Sequence, residues 1–399
     1  MIEISDSIDL LKRSLELPCG AVLKNRIAKS AMSDSLADGA GDPTEAQIRL
    51  YERWAEGGGA LSIIGEVQGD PRFPEKPGNL VFGANSNLKA LNALATRASI
   101  EGAHIWPQIG HAGALSYSPI SQPTGPSALE IGSFQCAGMS MAELKKLPDM
   151  YANAAVLAKG VGFTGVQIHA GHGFLLSQFL SPLFNRRNDQ YGGSIEARCR
   201  IIVEVIDKVR RAVGPSFPLG LKVNSSDKLE GGLTQEDALE AIRILDQTSI
   251  DLIEISGGTY FPEAKASSYS STGGPYFVEF SQNAQNVTSV PLMATGGVKT
   301  REEALNLLAS GAVDMVGLAR AMVLNPELAK TWLSEAGGDP YFPKFMTSPP
   351  GGVTAWYTML LTALGNDSES SFRLDLHSAI RIYEERDGNR CAKWKKKFS

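Results

Sequence analysis

Residues 167–200 read QIHAGHGFLLSQFLSPLFNRRNDQYGGSIEARCR. An apolar run ends here in two histidines, His169 and His172. The chain then passes through Gly173 and Phe174 into an apolar stretch of helical spacing and a Tyr-Gly-Gly turn. That order describes a strand stopping at a polar edge and handing over to a helix. Strand ends in α/β proteins aim their side chains into a shared cleft, so two imidazoles placed there can both donate N–H to one oxygen. Polarising a carbonyl or nitro group is one use of such a pair. Two buried histidines satisfying backbone carbonyls, or half of a metal site, are readings the pair alone leaves open.

Outward from this stretch the same unit recurs. Short apolar runs lie at 26–30, 60–67, 104–109, 165–169, 218–223, 251–256, 291–295 and 315–318, each closing on Gly, Ser or a polar residue. Between them, Thr234 opens TQEDALEAIRIL with acidic residues in the first turn, and Thr300 with Glu303 makes a capping box before ALNLLASG. Strands alternating with helices in this way predict an α/β fold, a closed (β/α)8 TIM barrel. An open doubly wound sheet is disfavoured because no G-x-G-x-x-G follows the first run.

The predicted barrel takes residues 1–340, and residues 341–399 form a C-terminal extension expected to pack on the barrel or on a neighbouring subunit. Within it, 372–386 has amphipathic spacing, and Lys393, Lys395, Lys396 and Lys397 read as a solvated tail. Two connections, 113–139 and 257–275, exceed what a tight βα loop needs. They are predicted to stand over the barrel mouth as lid loops, with Tyr260 and Tyr269 inside the second and Tyr276 just beyond. Irregular packing away from any ligand is the other reading.

Composition narrows the partners. At 43% hydrophobic and 20% charged over 399 residues, the chain can bury a sizeable core. A net charge of −5 without a basic stripe argues against nucleic acid. The opening MIEISDSIDLL lacks a basic region followed by an apolar one, and no apolar run approaches the ~18 to 20 residues of a bilayer span. A soluble, cytoplasmic protein with no membrane partner is the expectation. Cys19, Cys136, Cys199 and Cys391 lack CxxC spacing, which disfavours a metal site, an iron–sulfur cluster or a disulfide framework.

The run from 167 to 200 resembles the signature of the old yellow enzyme family, flavin-dependent reductases of activated alkenes. KNRIAKSAM at 24–32, WPQIGHAG at 106–113 and VGLAR at 316–320 are similar to further motifs of that family, and the resemblance covers roughly residues 15–335. It implies FMN as cofactor, NADPH or NADH as reductant, a small-molecule substrate of enone type and a homo-oligomer. It assigns catalytic roles to His169 and His172, which would bind the substrate oxygen, and places Phe174 and Tyr260 beside the substrate. On the FMN it places Ser30, Ala31, Met32 and Ser33 from the first strand, Gly65 from the second and Gln108 from the third. Lys222 falls beside flavin N1 and O2, and Gly296, Gly297, Ala319 and Arg320 fall at the phosphate.

Residue chemistry is compatible with these assignments. Loops after strands 7 and 8 are the usual phosphate site of such a barrel, and there glycines allow close approach while an arginine can grip in a fork, although Gly-Gly is also an ordinary tight turn. An ammonium at Lys222, inside a strand, needs an anion to offset its desolvation. Gly65 can equally be a strand end with no need of a side chain. Asp189 is expected to pair with the adjacent arginines.

The chain departs from the family pattern at Ser33, where relatives carry Thr or Cys, and at Ala114, where an arginine often follows the glycine. The largest departure is Phe174, which stands where most relatives have the tyrosine that protonates the α-carbon. Water or another group such as Tyr260 would then supply the proton, or the reaction is a net isomerisation, a dehydrogenation or the release of an enolate. A flavin-binding barrel with little turnover is a further class. Dienoyl-CoA reductases and amine dehydrogenases are similar in the barrel alone and add a cysteine-rich cluster motif and a nucleotide domain, for which this sequence has neither the cysteines nor the length.

Overall fold

The computed structural model describes residues 4–132, 134–261, 274–335, 337–346 and 348–398. Eight parallel strands close on themselves: β1 (Ile27–Lys29), β2 (Leu61–Gln68), β3 (His104–Gly110), β4 (Val166–Ala170), β5 (Leu219–Asn224), β6 (Leu252–Ser256), β7 (Leu292–Thr295) and β8 (Met315–Leu318), with β8 pairing back to β1 and β1 to β2. Every apolar run identified in the sequence lies within one residue of its strand at each end. The runs are legible because each strand is buried on both faces, by the barrel interior and by the helix layer, and so reads as continuous apolar sequence.

Helices α1 (Glu45–Glu56), α2 (Leu88–Ala98), α3 (Leu147–Gly160), α4 (Ile195–Val213), α5 (Gln235–Asp246), α6 (Val278–Gln285), α7 (Arg301–Ala309) and α8 (Leu328–Leu333) surround the strands. Thr234 caps α5 by accepting from the Asp237 N–H, and Thr300 and Glu303 form the reciprocal capping box of α7. The lower barrel is filled by Ala28, Leu61, Ile63, Trp106, Leu252, Met293 and Met315. Trp106 has room only because glycines face it, since a Cβ at Gly165 would lie 2.4 Å from its indole nitrogen. Apolar below and polar above, the barrel leaves its C-terminal end for chemistry.

The extension forms α9 (Gly352–Gly365) and α10 (Leu376–Phe398). Arg53 of α1 donates to the Leu364 carbonyl at 3.1 Å and pairs with Glu369, which fastens α9 to the barrel. The solvated reading holds for Lys393, Lys395 and Lys396, which are exposed, but the segment is not a loose tail. Helix α10 continues through it, Trp394 is only 2% exposed and donates to the Pro71 carbonyl, and Lys397 pairs with Asp42 at 2.8 Å. The amphipathic run starting at 372 was too short because the helix presents its apolar side to loops following β1 and β2, which sequence periodicity alone does not reveal. Arg390 joins the same contact through the Ser35 carbonyl at 2.7 Å.

The first long connection carries three short strands, Thr124–Gly125, Leu129–Ile131 and Phe134–Gly138. Phe261, at the start of the second, packs edge-on to Phe134 and Phe184 with ring centres 4.6 and 4.9 Å away. Tyr269 and the rest of 262–273 lie outside the described residues. Arg187 pairs with Asp189 and also donates to the Pro126 and Met139 carbonyls, tying the signature loop to the first lid, whereas Arg186 bonds a backbone carbonyl. Ala114 is buried, its N–H donating to Gln178. No described helix is long and apolar enough to cross a membrane.

Candidate active site

Parallel register sets His169, Lys222 and Glu254 side by side on β4, β5 and β6. Glu254 is the hub of a buried polar layer. It accepts from Gln167 at 2.8 Å and from Thr295 at 2.7 Å, and ion-pairs with Lys222 at 3.0 Å; Gln108 donates to Gln167 at 2.5 Å, and the Ser30 hydroxyl meets that of Thr295 at 2.6 Å. Burial pushes the Glu254 carboxyl up, but the Lys222 ammonium together with Thr295 and Gln167 outweighs it and holds the group below the usual carboxylate range. The anion that Lys222 requires is therefore supplied by the chain itself. Sequence reasoning missed Gln167 and Glu254, and read Thr295 only as part of the loop before Gly296 and Gly297. Their signal was faint: a polar residue two positions before His169 and before Ser256, on the same inward face.

At the end of β4, His169 Nδ1 accepts the Gly171 N–H at 3.1 Å, which in the neutral ring leaves the proton on Nε2. That buried Nε2 has no hydrogen-bond partner among the described residues. Glu66 Oε1 lies 3.2 Å from it, close enough for an ion pair but out of hydrogen-bond alignment. His172 sits in the left-handed region, φ 58°, with its N–H on Asn224 Oδ1 and its Nε2 2.8 Å from the Ser256 hydroxyl. Burial, then the nearby Lys222 charge and His169, hold its imidazole well below the ordinary value, so it is neutral near pH 7. The two rings stand 5.2 Å apart at 87°. The structure thus brings the pair together, with the Ser256 hydroxyl as an additional member that sequence reasoning missed.

Phe174, 3% exposed, packs edge-on to His169 at 5.1 Å and faces Tyr260 at 5.8 Å; Tyr260, 65% exposed, leans over His172 at 5.5 Å. The Ser33 hydroxyl donates to Glu75 at 2.8 Å. Ser30 is likewise engaged with Thr295 rather than free. A Cβ at Gly65 would come within 3.0 Å of Ala31 and 3.3 Å of the Met32 backbone, so close packing of β1 on β2 is enough to explain this glycine.

Across the mouth, Gly296 (φ 140°) and Gly297 (φ 84°) adopt conformations that L side chains rarely take, and a Cβ at Gly297 would lie 2.1 Å from the Gly274 carbonyl oxygen. Among the described residues, the N–H groups of Gly296, Gly297, Ala319 and Arg320 donate to no acceptor, and no carboxylate pairs with Arg320. Its guanidinium lies 5.8 Å from the centre of the Tyr357 ring of α9, a neighbour that motif reading did not anticipate. Converging unsatisfied donors, a cation and glycines that admit close approach fit a phosphate, and the adjoining amides and ammonium fit a flavin pyrimidine edge. A cavity of about 190 Å³ runs from His172, Ser256 and Tyr260 to Thr295, Gly296 and Arg320. A larger hollow, about 530 Å³, lies under α10 between Asp38, Arg386 and Arg390 and contains none of these strand-end groups.

Comparison with known proteins agrees with this geometry. A family model described as NADH:flavin oxidoreductase / NADH oxidase matches residues 19–335. The chain is 32% identical over 351 residues to the NADH-dependent flavin oxidoreductase iliE of Hypocrea jecorina, covering 79% of this chain and 87% of that protein. It is 35% identical over 356 residues to the protein of the same description from Neonectria sp., covering 80% of this chain but only 46% of the relative, so it spans about half of that longer polypeptide. Among solved structures, an old yellow enzyme homologue from Zymomonas mobilis superimposes with a TM-score of 0.72 at 23% identity, covering 87% of this chain and 98% of that one.

Proposed function

We propose, from the premise that this chain belongs to the NADH:flavin oxidoreductase / NADH oxidase family, the old yellow enzymes, whose members carry FMN and draw on NAD(P)H, that it reduces the C=C bond of an α,β-unsaturated carbonyl or similar activated alkene. The observation that carries the reading is the cavity running from His172, whose ring stands 5.2 Å from that of His169, to Gly296 and Arg320. Bound FMN supplies hydride exchange between the nicotinamide and the alkene.

The chain's own groups bind and polarise. Arg320 and the N–H groups of Gly296, Gly297 and Ala319 would hold the phosphate. Gln108 and Lys222 would meet the pyrimidine edge, with Glu254 tempering the lysine charge. The buried Nε2–H of His169 and the neutral ring of His172 would donate to the substrate oxygen as it gains charge, each worth about 2.7–4 kcal/mol of barrier by analogy with other oxyanion holes. Phe174 and Tyr260 would stack against the substrate and exclude water. A second reading, isomerisation or dehydrogenation of a related enone, is favoured by one fact alone: Phe174 has no proton to give.

Anaerobic NADPH or NADH should bleach the flavin of the holoprotein, and cyclohexenone or maleimide should then restore its colour, with His169→Ala slowing the second step about 100- to 1,000-fold. A bleached flavin that no activated alkene reoxidises would reject the reductase reading.

A further inference from the structure

Phe174 leaves the reaction without its usual proton source, and the groups around His169 supply another. Residues 64–67 of β2 hold a bulge: Ile64 pairs with Pro107 and Val67 with Ile109, so Gly65 and Glu66 together oppose the single Gln108. Bulges next to active sites re-aim a side chain. Here the bulge carries Glu66, 8% exposed, whose carboxyl lies against His169. Oε1 stands 3.2 Å from the unpartnered His169 Nε2, and no hydrogen bond holds the Glu66 side chain among the described residues. Space for Oε2 is kept by Gly110, where a Cβ would come within 2.5 Å of it. Phe174 packs edge-on against the same ring at 5.1 Å. An oxygen accepting from Nε2–H would therefore lie within reach of the Glu66 carboxyl.

We propose that Glu66 is the proton donor of the oxidative half-reaction, delivering its carboxyl proton to the substrate oxygen held by His169. The inference rests on the ene-reductase reading and deepens it. Hydride arrival at the β-carbon moves the alkene electron pair through the conjugated system onto the substrate oxygen. The O–H bond of Glu66 breaks as the enol O–H forms, and the carboxylate left behind faces Nε2–H. The enol leaves and tautomerises in solution, and a solvent proton restores Glu66. Protonation at oxygen needs no acid on the α-carbon face, which makes the absence of a tyrosine at Phe174 consistent with turnover. The charged and titratable groups around the pair are His172, Lys222, Glu75, Tyr151 and Tyr260.

Stopped-flow reoxidation of the NADPH-reduced holoprotein by 2-cyclohexenone, followed against pH in H2O and D2O, tests this. Glu66→Gln should slow reoxidation about 100-fold or more relative to flavin reduction, the usual range of a lost general acid, and remove the solvent isotope effect and its pH-dependent limb. Glu66→Asp should recover part of the rate. Glu66→Gln should also move the ring ¹⁵N resonances of His169, identified through His169→Gln among the five histidines. Wild-type reoxidation with an unaltered pH profile in Glu66→Gln, unmoved His169 resonances, or loss of the isotope effect in Tyr260→Phe instead would each overturn the proposal. Should the wild-type flavin fail to reoxidise with any enone, the functional reading falls, while the resonance measurement still reports on the pair itself.

Discussion

The buried imidazole of His111, just after β3, ties the stability of the fold to pH. His111 is pushed down to about 4, first by burial, while its Nδ1 accepts the Gly113 N–H and its ring stacks on Phe73 at 4.3 Å. The unfolded chain takes that proton near pH 6.5 and the folded chain does not. Below about 6.5 the unfolded state therefore binds more protons, and the stability fully present above that value is lost progressively as pH falls toward 4. Thermal denaturation of His111→Gln beside the wild type should show a smaller drop in Tm between pH 7 and pH 5 for the variant; equal drops would refute the assignment. At this scale the sequence was informative where a residue type was out of place. Lys222 inside a strand and the imidazole pair at a strand end could be singled out. Glu66 could not, because its direction depends on a bulge that leaves the strand pattern intact, and neither could Ser256, whose role exists only once β6 lies beside the turn carrying His172.

The elements themselves were largely legible, and the reason is packing on two sides. Each barrel strand is a short apolar run closed by a small or polar residue, and each described capping motif marks a helix start. The lid strands escaped detection because TG, LEI and FQCAG carry no continuous apolar run, and their order comes from aromatic contacts between loops distant in sequence. Phe261 is the hinge of that arrangement. Phe261→Ala removes a ring held between Phe134 and Phe184, a loss of about 3–5 kcal/mol if the cluster cannot collapse around it. That loss should fall on the lid rather than on the barrel. Limited proteolysis should cut the 113–139 connection faster in the variant while the main unfolding transition stays intact. An unchanged cleavage rate would show that the aromatic cluster does not order the lid.

Across the whole molecule, α9 and α10 strap the extension to the catalytic end. Helix α9 backs Arg320 through Tyr357, and α10 buries Trp394 against the loops after β1 and β2. Composition could mark residues beyond 340 as apolar and turn-rich, but the seat of the extension depends on a surface assembled from residues more than 300 positions earlier. Trp394→Ala should cost about 3–5 kcal/mol and lower Tm by several degrees; a Tm within a degree of wild type would mean that the strap adds nothing to stability. In the proposed complex, Arg320 and the glycine loop would hold the FMN phosphate and the two imidazoles would face its ring system. Titration of the flavin-free protein with FMN, followed by quenching of flavin fluorescence, tests it most directly. Saturable one-to-one binding that weakens about 10- to 100-fold in Arg320→Ala, the loss of a charge-assisted bond worth about 1.5–3 kcal/mol, is the predicted result. A protein that does not bind FMN, or an Arg320→Ala variant that binds it as tightly as wild type, would contradict it.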